Sequence, residues 1–296
     1  MIRIALAGFA AAASLGAAAA QDSPVGKIDK GVMDLLGDDA LLIVGGGLGA
    51  ITQPYRGADS VRYVPEPLII YQNEQMEFIG RTLGYTLYHR EDAASDIALR
   101  VKAIGQWRFF GHDAGDDSDF LEGMAKRRGT GELGVRAEYE FGRGQVSVQG
   151  VADALSRHGG YEVEARASYE LSTWLPLSVR PNGGLRYQSS SLTDYYFGVD
   201  PEEALVQTAA EARPDVLDGQ PIIRPAYDVS DGVVPFVGVT ARQSVHPKVA
   251  VVGGFDLNFL PGTVRDSPIV DEDVQLFAFI GMIYIFGDSP ADAAAH

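Results

Sequence analysis

The chain has 296 residues, with 24 Lys and Arg against 40 Asp and Glu, a net charge of −16, and no cysteine. That balance excludes a nucleic-acid binder, which needs clustered Lys and Arg, and capture by anionic surfaces through charge alone. Without a thiol there is no disulfide framework, thiolate metal site, cysteine nucleophile or lipidated N-terminal cysteine.

Residues 1–20 read as a signal peptide. Arg3 supplies the charged start, Ile4 to Leu15 a short apolar run, and Ala18-Ala19-Ala20 the small-residue cleavage pattern. The apolar run is too short for a membrane-spanning helix, and no later run approaches that length. Residues 21–39, with Pro, Gly and charges, are expected to form a flexible tail. The next run contains Gly45-Gly46-Gly47-Leu48-Gly49-Ala50, which fits a dinucleotide-binding spacing. It continues Ile51-Thr52-Gln53-Pro54, a poor opening for the helix that would have to hold a pyrophosphate. These glycines therefore belong to a strand, and no cofactor is expected.

Strict alternation of apolar and polar residues dominates the rest. In Leu133-Gly134-Val135-Arg136-Ala137-Glu138-Tyr139-Glu140-Phe141 every odd position is apolar, and Tyr161 to Leu171 and Ile97 to Phe109 follow the same rule. Period two means strands with one dry and one wet face. Expected strands are 41–51, 67–72, 76–88, 96–110, 130–141, 145–154, 160–172, 175–188, 232–243, 248–259 and 273–286. Most match the ~9–11 residues that span a bilayer at a tilt, against about 5–6 for soluble strands. Aromatics near strand ends (Tyr88, Phe109, Phe141, Tyr161, Tyr187, Phe259, Tyr284, Phe286) fit the girdles of a membrane barrel. The fold expected is all-β: an antiparallel transmembrane barrel over residues 40–286, followed by an extension at 287–296. A soluble sandwich or lipocalin-like barrel, apolar inside, is the alternative.

Eleven strands are one short of an even number. Twelve is the expectation and ten the fallback, with the extra strand sought at Pro221-Ile222-Ile223. Between Phe78 and Leu83 the apolar face changes parity, which reads as a bulge. The segment 189–231 is too long for a routine connection. Within it, Asp200-Pro201-Glu202-Glu203-Ala204 carries helix-start signals, so a short helix is expected through about Ala212.

On the polar strand faces lie Arg100, Lys102, Arg108, Glu132, Arg136, Glu138, Glu162, Glu164, Arg166, Arg180 and Arg186, the candidate lumen lining. Two readings stay open: a lumen closed by ion pairs, or a narrow pore with charged, selective walls. His89, His112, His158 and His246 stand apart without a partner at ligand spacing, so they read as solvated and no metal is expected. Ser156 and His158 are close in sequence, which is too little for a Ser–His catalytic pair. No catalytic residue is assigned.

The ordered blocks Gln53-Pro54-Tyr55-Arg56-Gly57, Pro67-Leu68-Ile69-Ile70-Tyr71, Met124-Ala125-Lys126-Arg127-Arg128, Tyr195-Tyr196-Phe197-Gly198-Val199-Asp200-Pro201-Glu202-Glu203-Ala204, Asp266-Ser267-Pro268-Ile269-Val270 and Gly281-Met282-Ile283-Tyr284-Ile285-Phe286 carry a resemblance. The chain resembles the MltA-interacting protein/OmpV family of outer-membrane proteins from about Leu41 to Phe286. The resemblance implies a barrel in contact with outer-membrane lipid. In one member it implies a scaffold joining a lytic transglycosylase to a penicillin-binding protein; other members are described as adhesins or porin-like proteins. Partner-contact candidates are Tyr195, Tyr196, Phe197, Asp200, Glu202 and Glu203. Family chains usually end on the terminal aromatic, whereas here Phe286 is followed by residues 287–296.

Overall fold

The computed structural model describes residues 40–59, 61–92, 94–108, 118–172, 177–209, 211–212 and 220–286. The signal peptide, the 21–39 tail, the 287–296 extension and Phe109 lie outside the described residues. Where the alternation is strict the backbone is extended. The strands are β1 Leu41–Thr52, β2 Val61–Gln72, β3 Met76–Ile79, β4 Thr82–Asp92, β5 Ile97–Arg108, β6 Thr130–Phe141, β7 Gly144–Asp153 and β8 Tyr161–Tyr169. They continue as β9 Leu171–Ser172, β10 Leu177–Gln188, β11 Leu205–Val206, β12 Ile223–Arg224, β13 Gly232–His246, β14 Val249–Phe259 and β15 Val274–Phe286.

All but β11 and β12 form one antiparallel sheet, in which each strand pairs with its chain neighbour, β10 pairs with β13, and β15 returns to β1 from Leu42↔Phe286 to Ile51↔Phe277. Because β8 and β9 run consecutively along β10, they are one strand of the wall. The result is a closed barrel of 12 strands among the described residues. Closure leaves no open edge where β1 and β15 meet, which hydrocarbon demands of any spanning sheet.

The twelfth strand is not at 221–223. It was hidden inside 76–88, which is two strands rather than one bulged strand. Ile79 pairs with Thr82 and Phe78 with Leu83 around Gly80-Arg81. Gly80 adopts φ 59°, a backbone conformation that glycine takes without steric cost in two-residue hairpins. The chain reverses there, so the apolar parity changes. A true register shift sits further on, between Thr86 and Tyr88. Ile223–Arg224 instead pairs with Leu205–Val206 in a separate two-stranded sheet.

The expected helix at 200–212 is also corrected. Asp200 accepts the N–H groups of Glu203 and Ala204 (2.9 and 3.1 Å), but Leu205–Val206 are then drawn into pairing with β12 and the turn goes no further. The helix is α1, Ser190–Phe197, which begins just after β10 and ends at Gly198. A second short helix, α2, covers Gly262–Arg265.

Alternation of strand direction sorts the connections. The described parts of the long ones (53–59, 118–129, 154–160, 189–209, 220–231 and 260–273) lie at one end. Ala40, Phe286 and the short turns at 73–75, 142–143 and 247–248 lie at the other. The long connections share an apolar core, including Tyr55, Phe120, Leu121, Val199, Ile222, Val264 and Ile269. They are stitched together by Arg56 N–H to the Ile269 carbonyl (2.9 Å), Ser118 hydroxyl to the Arg56 carbonyl (2.7 Å) and Ser267 hydroxyl to the Phe197 carbonyl (2.6 Å). This is a packed lid.

Gly80→Val is expected to cost about 1–2 kcal/mol, because a β-branched side chain is strained at positive φ, and Gly80→Asn to cost less. Urea titration of the refolded barrel, followed by tryptophan fluorescence, reads the difference. Equal stability of the valine variant and the parent would remove the hairpin from the account.

Candidate functional site

The wall is built inside out relative to a soluble barrel. On β6, Leu133 and Val135 are 63% and 50% exposed and face outward, while Glu132 and Glu138 are 1% and 7% exposed and face inward. On β8, Tyr161 and Val163 point out and Glu162 and Glu164 are buried. Apolar residues that face outward in a continuous band have a low-energy environment only in lipid.

All eleven candidate lumen residues fall in ion pairs. Lys102 Nζ donates to Glu77 Oε2 (2.6 Å) and Glu138 Oε2 (2.7 Å). The Arg136 guanidinium lies 3.8 Å from Glu77 and 3.6 Å from Glu138. It also donates to Gln149 Oε1 at 2.9 Å. Arg100 meets Glu140 at 2.7 Å. Nearer the lid, Arg108 bridges Glu132 (2.8 Å) and Glu162 (2.9 Å). Arg186 and Arg166 share Glu164 at 2.8 and 2.9 Å and stack on buried Phe236, with guanidinium carbons 5.1 and 4.5 Å from the ring centroid. Arg180 pairs with Glu170 at 2.8 Å, both partly exposed. Cross-strand neighbours of opposite charge replace the water that each ion gave up, which is what allows so many charges inside.

Several lumen residues escaped the sequence reading. Glu77 was obscured because 76–88 was read as one strand. Phe236 and Asn182 occupy inward positions by the same parity as their neighbours, so the period-two rule could have found them. His158 was read as solvated and is buried. Its Nδ1 accepts the Gly160 N–H at 2.9 Å, and its Nε2 lies 3.6 Å from Glu132. Among the described residues no serine hydroxyl is bonded to it, and Ser156 sits apart at φ 54°.

The partner-contact candidates lie in the lid, and the lid uses most of them itself. Tyr196 is buried, and burial pushes its phenol well above the ordinary range, so it stays protonated beside the Arg128 carbonyl at 3.3 Å. Tyr195 accepts the Arg128 N–H at 2.9 Å. Phe197 packs against Tyr55, with ring centroids 5.9 Å apart. Glu203 is buried, receiving Arg127 at 2.6 Å and the Ala125 N–H at 2.7 Å. Burial takes Tyr196 and Glu203 out of any outward contact surface. Asp200 and Glu202 remain exposed.

Arg224, 1% exposed, is the lid's clamp. Its guanidinium donates to the carbonyls of Glu203 (2.9 Å), Glu122 (3.1 Å) and Phe120. Three carbonyls from two connections converge on one planar fork, a geometry that lysine could not match.

A closed antiparallel barrel with paired charges inside and apolar side chains outside is a transmembrane barrel of the bacterial outer membrane. The family described as MltA-interacting protein MipA matches residues 44–286, and the chain belongs to that family. Outer membrane protein YiaT of Escherichia coli (strain K12) is 25% identical over 241 residues, covering 81% of this chain and 88% of the relative. The MltA-interacting protein of the same strain is 24% identical over 246 residues, with 82% and 89% covered. Outer membrane protein Omp26La of Vibrio anguillarum is 30% identical over 216 residues, with 67% and 76% covered. The protein resides in the outer membrane.

Lys102→Met leaves Glu77 and Glu138 facing each other with only the more distant Arg136 as cation and is expected to destabilise the barrel by at most about 3–5 kcal/mol. Adding Glu77→Gln and Glu138→Gln should recover most of that loss in the same urea titration. If single and triple variants unfold together, the pairing is not what holds this part of the wall. Arg224→Met should loosen the lid and speed trypsin cleavage after Lys126, Arg127 and Arg128, with the barrel itself intact by gel mobility. An unchanged cleavage rate would deny Arg224 its role.

Proposed function

We propose that this chain is a non-catalytic outer-membrane scaffold, not a general diffusion pore, and that it gathers murein-remodelling enzymes at its inner face. The observation that carries the reading is the self-neutralised lumen under a packed lid. A charged-wall pore must offer its charges to passing solutes, whereas here each lumen candidate is engaged by an opposite charge on the wall. The first partner, a lytic transglycosylase, is suggested by the name of the MltA-interacting relative; a penicillin-binding protein as the second enzyme rests on the family resemblance alone.

Barrels of this class keep short turns in the periplasm and long connections outside the cell. On that rule the terminal end faces the murein, and docking belongs there. The segment from Tyr195 to Glu203 then faces the exterior, as part of the lid rather than as the enzyme contact.

The chain has no cysteine, so single cysteines report topology cleanly. Asp200→Cys is expected to react with an impermeant maleimide on intact cells, and Asn73→Cys only after permeabilisation; the opposite pattern reverses the orientation. In planar bilayers the purified protein is expected to show no stable channel steps. Affinity capture from solubilised envelopes should recover a lytic transglycosylase equally with the parent and with Asp200→Lys/Glu202→Lys. Steady conductance with no enzyme recovered would replace the scaffold by a channel.

A further inference from the structure

The connection 154–160 carries a buried imidazole where the wall meets the lid. The side chain of His158 is fully enclosed, and so are the Asp153 and Glu132 carboxylates beside it. Asp153 ends β7 and shapes the turn. Its carboxylate accepts the N–H groups of Leu155, His158 and Gly159 (3.0, 2.7 and 2.8 Å) and the Thr130 hydroxyl (2.6 Å). The turn then closes on the imidazole, whose Nδ1 accepts the Gly160 N–H at 2.9 Å.

That last contact sets the protonation state. An Nδ1 that accepts carries no proton, so the ring is neutral and its proton is on Nε2. Nε2 has no hydrogen-bond partner among the described residues. Glu132 Oε1, at 3.6 Å, lies just beyond that reach. A neutral imidazole with one bond unmade therefore sits between two carboxylates.

The turn bears directly on α1. A side chain at Gly160 would begin 2.6 Å from the Leu192 nitrogen and 2.6 Å from Ser189 Oγ, so turn and helix start are pressed together. Tyr161 N–H donates to Ser189 Oγ (2.9 Å) and Ser189 N–H to the Tyr161 carbonyl (3.0 Å). The imidazole is 6.0 Å from the rings of both Tyr195 and Tyr196, which hold the main chain at Arg128. Asp194 on the same helix accepts the Val229 N–H at 2.8 Å. A shift of residues 158–160 is passed to α1 and through it to the lid on either side.

A second proton on the ring breaks this arrangement. Protonated Nδ1 is a donor, and it would face another donor, the Gly160 N–H. The groups around the ring offer a different position. Asp153 Oδ2 of β7 is 3.9 Å from Nδ1, and Glu132 of β6 stands by Nε2. Arg108 of β5 already holds Glu132, and Glu162 of β8 is its other partner. From α1 come only the phenols of Tyr195 and Tyr196, and Arg157 in the same connection is exposed. Of these groups only the imidazole ordinarily changes charge between about pH 5 and 8.

We propose that His158 is a proton-operated latch on the lid. Neutral, it holds the 154–160 turn against α1; protonated, it swings toward Asp153 and Glu132 and releases α1. Closure is present above the ordinary imidazole range and is lost as pH falls through it. The latch belongs to the lid and is independent of which partners the barrel has.

The test is a nitroxide at Ser190→Cys, the exposed start of α1, read by electron paramagnetic resonance in phosphatidylcholine vesicles between about pH 8 and 5. Val148→Cys on the lipid face is the control. At position 190 an immobilised spectrum is expected to give way to a mobile one on acidification. The mobile-to-immobile ratio should rise about ten-fold per pH unit, the slope of one proton, while position 148 stays unchanged. His158→Asn places an amide oxygen near the position of Nδ1 and cannot titrate, so its spectrum should stay immobilised throughout. Imidazole nitrogen shifts are read in a chain whose other four histidines are replaced by glutamine. They should show the Nε2–H tautomer at the upper pH and titrate with the midpoint of the nitroxide. This second measurement decides the matter even where the asparagine variant does not fold. A nitroxide that never changes, that changes alike in the asparagine variant, or whose midpoint departs from that of His158 overturns the latch. A matching change at position 148 assigns the transition to the whole barrel and overturns it too.

Discussion

The rest of the structure depends on one constraint: inside hydrocarbon no backbone polar group can be left to water, so the sheet must close on itself. β15 meeting β1 is the consequence. Once the sheet is closed, each strand has a face toward lipid and a face toward the lumen, and period-two alternation divides the residues between them. The ionic lumen follows from this. Charges excluded from the outer face must go inside or to the two ends, and those inside a narrow barrel need partners across the strands. The pairs Lys102–Glu77–Glu138 and Glu132–Arg108–Glu162 are therefore a result of closure.

The sequence was legible wherever a strand is long and strictly alternating. β5, β6, β7, β8, β10 and β14 stand within a few residues of expectation, and the polar face of each supplied the lumen candidates directly. Legibility failed where two local rules compete. At 76–88 a parity change admits either a bulge or a two-residue hairpin, and only Gly80 at a positive φ separates them. At Asp200-Pro201-Glu202-Glu203 the helix-start signals are real, yet pairing of β11 with β12 and the Arg127–Glu203 contact end the turn at once. Tertiary contacts of that kind leave no local mark. The same is true of Arg224 and His158, each a lone charged or polar residue in a connection, whose burial depends on segments far away in the chain.

The acidic excess has a place in this arrangement. Most lumen acids are matched by arginines and Lys102, and further acids collect outside the wall, at exposed positions such as Asp200, Glu202 and Glu272 on the lid. A charged, soluble rim over an apolar lid core lets the long connections fold as one body. It also keeps them out of the bilayer, since a cluster of carboxylates is costly to desolvate. Net charge alone ruled out nucleic acid; its location explains how the lid stays above the membrane.

Wall and lid make different demands on the chain, and they explain why family membership leaves the role open. The wall must satisfy the bilayer at every position, which fixes parity, strand length and closure. The lid has only to pack and to hold Arg224 among carbonyls, and its exposed residues are free of both demands. Val61 to Leu68 of β2 are the exception within the wall, with no strand on their second side among the described residues. There the hydrogen-bonding rule is relaxed, with Pro65 and Pro67 removing donors instead of pairing them.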